Sequence, residues 1–200
     1  MNLIQRAKSI VLTPKPEWEV IATETTTTAD LYKGYVAPLA AIAPIASFVG
    51  LTLVGVSVPM LGSYRVPLMS GLANAVVSYV LALVGVFILS LIINALAPTF
   101  GGEKNPMQAL KVAAYAYTPA WIASVLLIIP ALSVLVMLAG LYSLYVLYLG
   151  LPVLMKSPKE KAVAYTVVVV ICALVIGVVF GAVAGAVGGA GPGLGQMPVR

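Results

Sequence analysis

The sequence predicts an all-α, polytopic membrane protein: a bundle of five transmembrane helices preceded by a short amphipathic N-terminal helix. Three observations carry this. The first is the spacing of charge. No Asp, Glu, Lys, Arg or His occurs between Lys33 and Arg65, Arg65 and Glu103, Lys111 and Lys156, or Lys161 and Arg200, gaps of 31, 37, 44 and 38 residues. Roughly 20 apolar residues cross a bilayer core, so each gap holds at least one span. The second is composition, with 62% hydrophobic and 8% charged residues and a mean hydropathy of +1.09, outside the range of soluble domains. The third is the placement of Lys and Arg, which agrees with five spans.

The first gap is apolar from about Tyr35 to Val58, and the second from Leu72 to Ala97. The third is too long for one helix, because 44 residues at about 1.5 Å each reach roughly 66 Å, twice the hydrocarbon thickness. Pro130 lies near its middle, so a tight hairpin joins spans of about Lys111–Ile129 and Ala131–Met155. The last gap carries a span of about Ala162–Val187. Residues 1–33 form the N-terminal segment, 34–187 the membrane domain and 188–200 a flexible tail rich in Gly and Pro.

Five spans place Arg6, Lys8, Lys15, Lys33, Lys104, Lys111, Lys156, Lys159 and Lys161 on one side, against Arg65 and Arg200 on the other. Nine against two is a strong positive-inside asymmetry, which predicts a cytoplasmic N-terminus and an external C-terminus. The net charge of +5 is thereby assigned to topology and anionic lipid rather than to nucleic acid. Thr13, Pro14, Lys15 and Pro16 follow Arg6 and Lys8 too closely for a signal-peptide core, so no cleavable signal is expected. Cys172, the single cysteine, falls in the last apolar run as a small packing residue.

In the N-terminal segment Leu3, Ile4, Ala7, Ile10 and Val11 recur at helical spacing, with Gln5, Arg6 and Lys8 on the other side. This pattern predicts a helix lying on the inner leaflet, its basic face toward the headgroups. A second short helix begins at Pro16, with Glu17 and Glu19 in its first turn, Trp18 at the interface, and Val20 and Ile21 turned inward. Thr25–Thr28 is a polar linker. Glu17, Glu19, Glu24 and Asp30 read as solvated charge balancing the nearby bases; their spacing matches no calcium loop.

The spans lack ionisable groups at mid-depth and the chain has no His. Proton relays, His metal sites and His-based triads are thereby disfavoured, so no enzyme activity, metal or cofactor is expected. Uncharged polar groups remain as candidates for transport or interaction: Asn74, Ser78 and Asn94 on the second span, and Tyr115, Tyr117, Thr118 and Pro119 on the third. Pro119 cannot donate to the carbonyl four residues back, that of Tyr115, which needs another partner. Two readings are open: a small polar site, or a kink satisfied by a neighbouring helix. Tyr142, Tyr145 and Tyr148 form a packing stripe on the fourth span.

Gly177, Gly181 and Gly185 make a GxxxGxxxG groove on the last span, for helix packing within the chain or for an oligomer contact. Packing within the chain is the expected use. In the second connection Gly101 and Gly102 permit a sharp reversal, and Asn105 and Pro106 start the third span as N-cap and first helical residue.

Three stretches are similar to those of a known family. They are Pro16–Ile21 with Asp30–Leu31–Tyr32, then Phe100–Gly101–Gly102 running to Tyr115–Ala116–Tyr117–Thr118–Pro119, and Leu149–Gly150–Leu151–Pro152. The chain resembles the Yip family of five-span membrane proteins, in its bacterial form, over about Met1 to Val187. The resemblance marks Trp18, Asp30, Tyr32, Gly101, Gly102 and Gly150 as family-motif positions. It implies a cytoplasmic N-terminus and, in eukaryotic relatives, vesicle traffic through small GTPases of the Rab/Ypt type. Their Asp-Leu-Tyr-Gly-Pro motif is matched here only by Asp30–Leu31–Tyr32, followed by Lys33–Gly34.

The expected function is that of a non-enzymatic scaffold in the cell membrane, with the lipid bilayer, other membrane proteins or a second copy of itself as partners. The alternative is a channel or carrier using the polar groups near Pro119.

Overall fold

A computed structural model of the chain describes residues 2–58 and 62–188. Five helices are long and apolar enough to cross a membrane: Thr28–Val54, Leu68–Phe100, Pro106–Ile128, Pro130–Met155 and Lys159–Val187. They are preceded by two short helices, α1 (Leu3–Leu12) and α2 (Pro14–Thr23). The five-span reading holds. The first span begins at Thr28 rather than after Lys33, and the tail expected from 188 onward lies outside the described residues apart from Gly188. One addition to the all-α architecture is a small antiparallel ladder between the first two spans, pairing Val56 with Tyr64, Ser57 with Ser63 and Val58 with Gly62.

α1, α2 and the 101–105 and 156–158 connections gather at one end of the bundle, which is therefore its lysine-rich end. The central helix is the third span. Ala109 to Ala116 are buried without interruption, and four of those eight residues are alanines that let neighbours approach closely. The fifth span is the least buried of the five and packs chiefly on the second. Phe100 stacks on Tyr165 with centroids 4.8 Å apart, the Tyr165 hydroxyl donates to the Ile93 carbonyl, and Asn74 donates to the Ala184 carbonyl at 3.0 Å.

Two spans are broken helices. The first passes through wide π-helical turns at Tyr32–Val36 and Val49–Val54. Pro38 sits just beyond the first of these turns, and its ring nitrogen has no proton for the Gly34 carbonyl. The third span changes from one α-helix to another at Tyr117, immediately before Thr118 and Pro119. The Asn105 side chain accepts from Gln108 N–H at 3.1 Å and Pro106 opens the span, as its sequence predicts.

Glycines set two close approaches. Gly101 adopts φ +74° and ends the second span, while a Cβ on Gly102 would fall 2.6 Å from the Met155 carbonyl oxygen. The reversal is clasped there, with Glu103 N–H donating to that same carbonyl at 2.8 Å. Gly150 is the seat of Trp18: a Cβ at 150 would lie 2.7 Å from Cε2 and Cζ2 of the indole.

The glycine groove on the last span departs from expectation. A Cβ on Gly177, Gly181 or Gly185 would meet nothing within 4 Å, so among the described residues no helix packs closely against them. The bundle closes around the third span instead, leaving most of the fifth exposed at its outer face.

These two kinds of glycine respond differently to a methyl group. Gly150→Ala drives the indole from its seat and costs about 1–3 kcal/mol through overpacking. Gly181→Ala adds a methyl in open space and gains up to about 1 kcal/mol of helix propensity. Thermal unfolding in detergent, followed by tryptophan fluorescence, checks both; equal losses at the two positions would contradict this packing.

Candidate functional site

The chemistry of the molecule is concentrated where the N-terminal hairpin meets the lysine-rich end. Asn2 caps α1, accepting from Ile4 N–H at 3.2 Å. Thr13 breaks the helix and Pro14 starts α2, two residues earlier than the sequence reading placed it. The two helices lie against the bundle rather than apart from it. Tyr142 of the fourth span donates to the Val11 carbonyl at 2.7 Å.

Arg6 corrects the expected orientation of α1. It is 3% exposed, faces the protein beside Ala7 and Ile10, and leaves Ile4 and Leu12 on the outer side. Its guanidinium forms ion pairs with Glu17 and Glu24 and lies 5.8 Å from the Tyr115 ring centroid. Glu17 is therefore a buried partner rather than a solvated charge; Glu19 is exposed. A buried charge is tolerated only when paired and hydrogen-bonded, and the two carboxylates supply that condition.

Trp18, expected at the membrane interface, is fully buried. Its Nε1 donates to the Val146 carbonyl at 3.1 Å, and its ring meets Tyr115 edge-on at 6.2 Å. Helical geometry turns Ile21 inward with it; Val20, also expected inside, points outward.

The C-terminal end of α2 presents carbonyls that its own helix cannot satisfy. The third span supplies the donors. Lys111 Nζ reaches the Ile21 carbonyl at 2.9 Å and that of Glu24 at 2.5 Å, and Gln108 Nε2 reaches Ala22 at 2.9 Å. Lys111 is buried, a cation at the negative end of a helix dipole. Arg6 and Lys111 thus stand against Glu17 and Glu24, a balanced quartet.

Beside this quartet opens a cavity of about 550 Å³, lined by Leu3, Arg6, the 23–26 segment, Asp30, Leu31, Gly34, Tyr35 and Tyr115. Its mouth carries carboxylates and threonine hydroxyls, and its floor two phenol rings whose centroids are 4.6 Å apart. Asp30 N–H donates to Thr27 Oγ1 at 3.1 Å, opening the first span. Among the described residues no three His, Cys, Asp or Glu are gathered to hold a metal ion.

The residues singled out by sequence are dispersed. Thr118 is fully buried and shares a 2.7 Å hydrogen bond with the Tyr35 hydroxyl. Ser143 Oγ accepts from Ala120 N–H at 3.2 Å, so the Pro119 kink is braced from the first and fourth spans. Tyr117 stacks on Trp121 at 5.6 Å. Asn74 is tied to the fifth span, with Ser78 donating to its Oδ1 at 3.3 Å. Asn94 lies 20 residues further along the same helix, about 30 Å away at 1.5 Å per residue. Asn74, Ser78 and Asn94 therefore do not converge opposite Pro119.

Of the family-motif positions, Trp18 lies in its Gly150 seat, Tyr32 donates to the Leu83 carbonyl at 3.0 Å and Gly101–Gly102 form the clasp, while Asp30 is exposed and borders the cavity. Sequence reasoning missed Arg6, Gln108, Lys111, Tyr35 and Ser143. Lys111 carried a legible signal, since it sits in the sixth position of a helix opened by Asn105–Pro106.

A family description, "Yip1 domain", matches residues 8–181. The inner membrane protein YohC of Escherichia coli strain K12 is 27% identical over 156 residues, covering 76% of this chain and 80% of that protein. Its counterpart in Escherichia coli O6:H1 aligns to the same extent. No solved structure matches the chain.

Arg6→Ala strands Glu17 in the interior without its cation and costs about 3–5 kcal/mol. The hairpin is expected to detach, so amide hydrogen exchange in residues 3–23 rises while that of the 109–116 segment stays protected. Arg6→Met with Glu17→Met removes both charges and restores protection.

Proposed function

The chain belongs to the Yip1-domain family, and we propose on that premise that it is a non-enzymatic organiser of the cell membrane. It acts through protein or lipid contacts made at its lysine-rich end, which faces the cytoplasm. The observation that carries this is the docked N-terminal hairpin. Arg6, Trp18 and Lys111 fasten it over the polar cavity, so recognition groups are collected on one face. Ile4 and Leu12, directed outward from α1, rest in the headgroup region and couple that face to the bilayer.

The use of intramembrane hydroxyls supports the same reading. Tyr32, Tyr79, Ser90, Ser124, Tyr165 and Thr166 each donate to a main-chain carbonyl of this chain. Those of Tyr32, Tyr79 and Tyr165 tie one span to another, and those of Ser90, Ser124 and Thr166 bond back within their own helices. A second reading, a channel or carrier near Pro119, draws on Tyr117, which borders cavities of about 130 and 440 Å³. Both cavities are lined mainly by apolar side chains, which suits lipid chains better than ions.

The deciding measurement is solute and ion flux in proteoliposomes, alongside site-specific photo-cross-linking from Thr26 in cells. The expected outcome is flux no higher than in protein-free vesicles, and a reproducible set of cross-linked membrane proteins that disappears with Arg6→Ala. Flux that Thr118→Val abolishes would transfer the assignment to transport.

A further inference from the structure

A second cavity at the same end, of about 300 Å³, lies between α2, the fourth span and the start of the fifth. Its polar border is formed by Lys15, Glu19, Lys159 and Tyr148, and its floor by Leu149, Pro152, Val153 and Ala162. We propose that this niche binds one molecule of an anionic glycerophospholipid, phosphatidylglycerol in type, from the leaflet at the lysine-rich end. The inference rests on the reading of this end as a membrane-organising face and names a ligand for it.

Four observations converge. Lys15 and Lys159 are exposed, and neither takes part in an ion pair or hydrogen bond among the described residues, unlike Lys156, which is engaged by Glu103 at 2.8 Å. Two ammoniums and the Glu19 carboxylate give the niche a net charge of +1, which a single phosphodiester neutralises. Lys159 is the first residue of the fifth span, so its ammonium stands at headgroup depth while the apolar floor continues toward the hydrocarbon. Pro152 lies inside the continuous fourth-span helix and has no N–H for the Tyr148 carbonyl, four residues back and on the same border.

The ligand's parts correspond to these groups. The phosphate lies between the two ammoniums, a charge-assisted arrangement. Hydroxyls of a glycerol headgroup donate to the Glu19 carboxylate and to the freed Tyr148 carbonyl. The upper acyl chain covers Leu149 and Val153. An ethanolamine headgroup offers the Glu19 carboxylate a cation but carries no net charge to balance the niche.

Native mass spectrometry of the detergent-solubilised protein, titrated with phosphatidylglycerol or phosphatidylethanolamine of matched chains, tests this. The wild type is expected to retain phosphatidylglycerol at least about five-fold better, in line with the attraction of surface lysines to anionic lipid. Lys15→Gln with Lys159→Gln should abolish the preference, while Lys33→Gln, an exposed lysine outside the niche, should leave it intact. Unchanged fluorescence of buried Trp18 verifies that each variant is folded. Preference that survives the double substitution, equal retention of both lipids, or a preference for phosphatidylethanolamine would each overturn the assignment. The flux and cross-linking outcomes are independent of these results, so failure of the niche is distinguishable from failure of the organiser reading.

Discussion

A main-chain polar group freed inside hydrocarbon has to find its partner within the protein, because no water is there to take its place. The interior of this bundle follows from that constraint. The first span interrupts its helix near Pro38 and the third near Pro119, and hydroxyls stand at both interruptions. Tyr32 and Tyr35, within the first wide turn, bond to the Leu83 carbonyl and to Thr118. Tyr79 reaches back to the Ala37 carbonyl at 3.3 Å, and Ser143 takes the Ala120 N–H. Each broken turn is thereby tied to a neighbouring span. Among these bonds, that of Ser143 satisfies the Ala120 N–H, a donor in the first turn of the helix that restarts at the Pro119 break.

The same requirement explains why the N-terminal hairpin docks. α2 ends with open carbonyls, and the third span begins with Gln108 and Lys111 placed to satisfy them. A lysine buried near a helix C-terminus brings uncompensated charge, and Glu17 and Glu24 balance it together with Arg6. Trp18 closes the arrangement mechanically, its indole seated on the turn from Val146 to Gly150. Removing any one of these partners leaves another buried polar group unmet, so the contacts that dock the hairpin form and break together.

Much of the fold was legible because membrane insertion reads few variables. Charge gaps located the spans, lysine placement agreed with their number, and Asn105–Pro106 marked a helix start. What escaped was every feature that depends on contacts distant in sequence. Leu3, Ile4, Ala7, Ile10 and Val11 gave α1 an amphipathic pattern, yet pattern alone does not reveal that carboxylates 11 and 18 residues away draw Arg6 inward. Gly150 carried no local signal of its role, since only the indole from α2 needs the missing side chain. Gly177, Gly181 and Gly185 carried a strong local signal and nonetheless have no helix packed closely against them among the described residues. Spacing gives a surface its shape and leaves its occupant undetermined. The polar candidates scattered for a related reason: Asn74 and Asn94 share a helix, but a 20-residue separation puts them near opposite faces of the membrane.

The distribution of work between the two ends then constrains function. Toward the end opposite the lysines the bundle is held by few polar contacts, Asn74 to Ala184 among them. At the lysine-rich end lie the Arg6 ion pairs with Glu17 and Glu24, the Lys111 bonds to the end of α2, the clasp at Gly102 and Met155, the Phe100–Tyr165 stack and both polar-mouthed cavities. A carrier needs groups that can face either side of the membrane in turn, and a channel needs polar lining through its depth. Here the hydroxyls of Tyr32, Tyr35, Tyr79, Thr118 and Ser143 are engaged in bonds within the chain, and the exposed lysines gather at one surface, with Arg65 at the other. Such an arrangement supports the proposed role of gathering molecules at that surface, with the spans embedded in the bilayer. The fifth span has its own place in this logic: Lys159, beside the proposed lipid niche, is its first residue, so a headgroup bound there meets the least buried of the five spans.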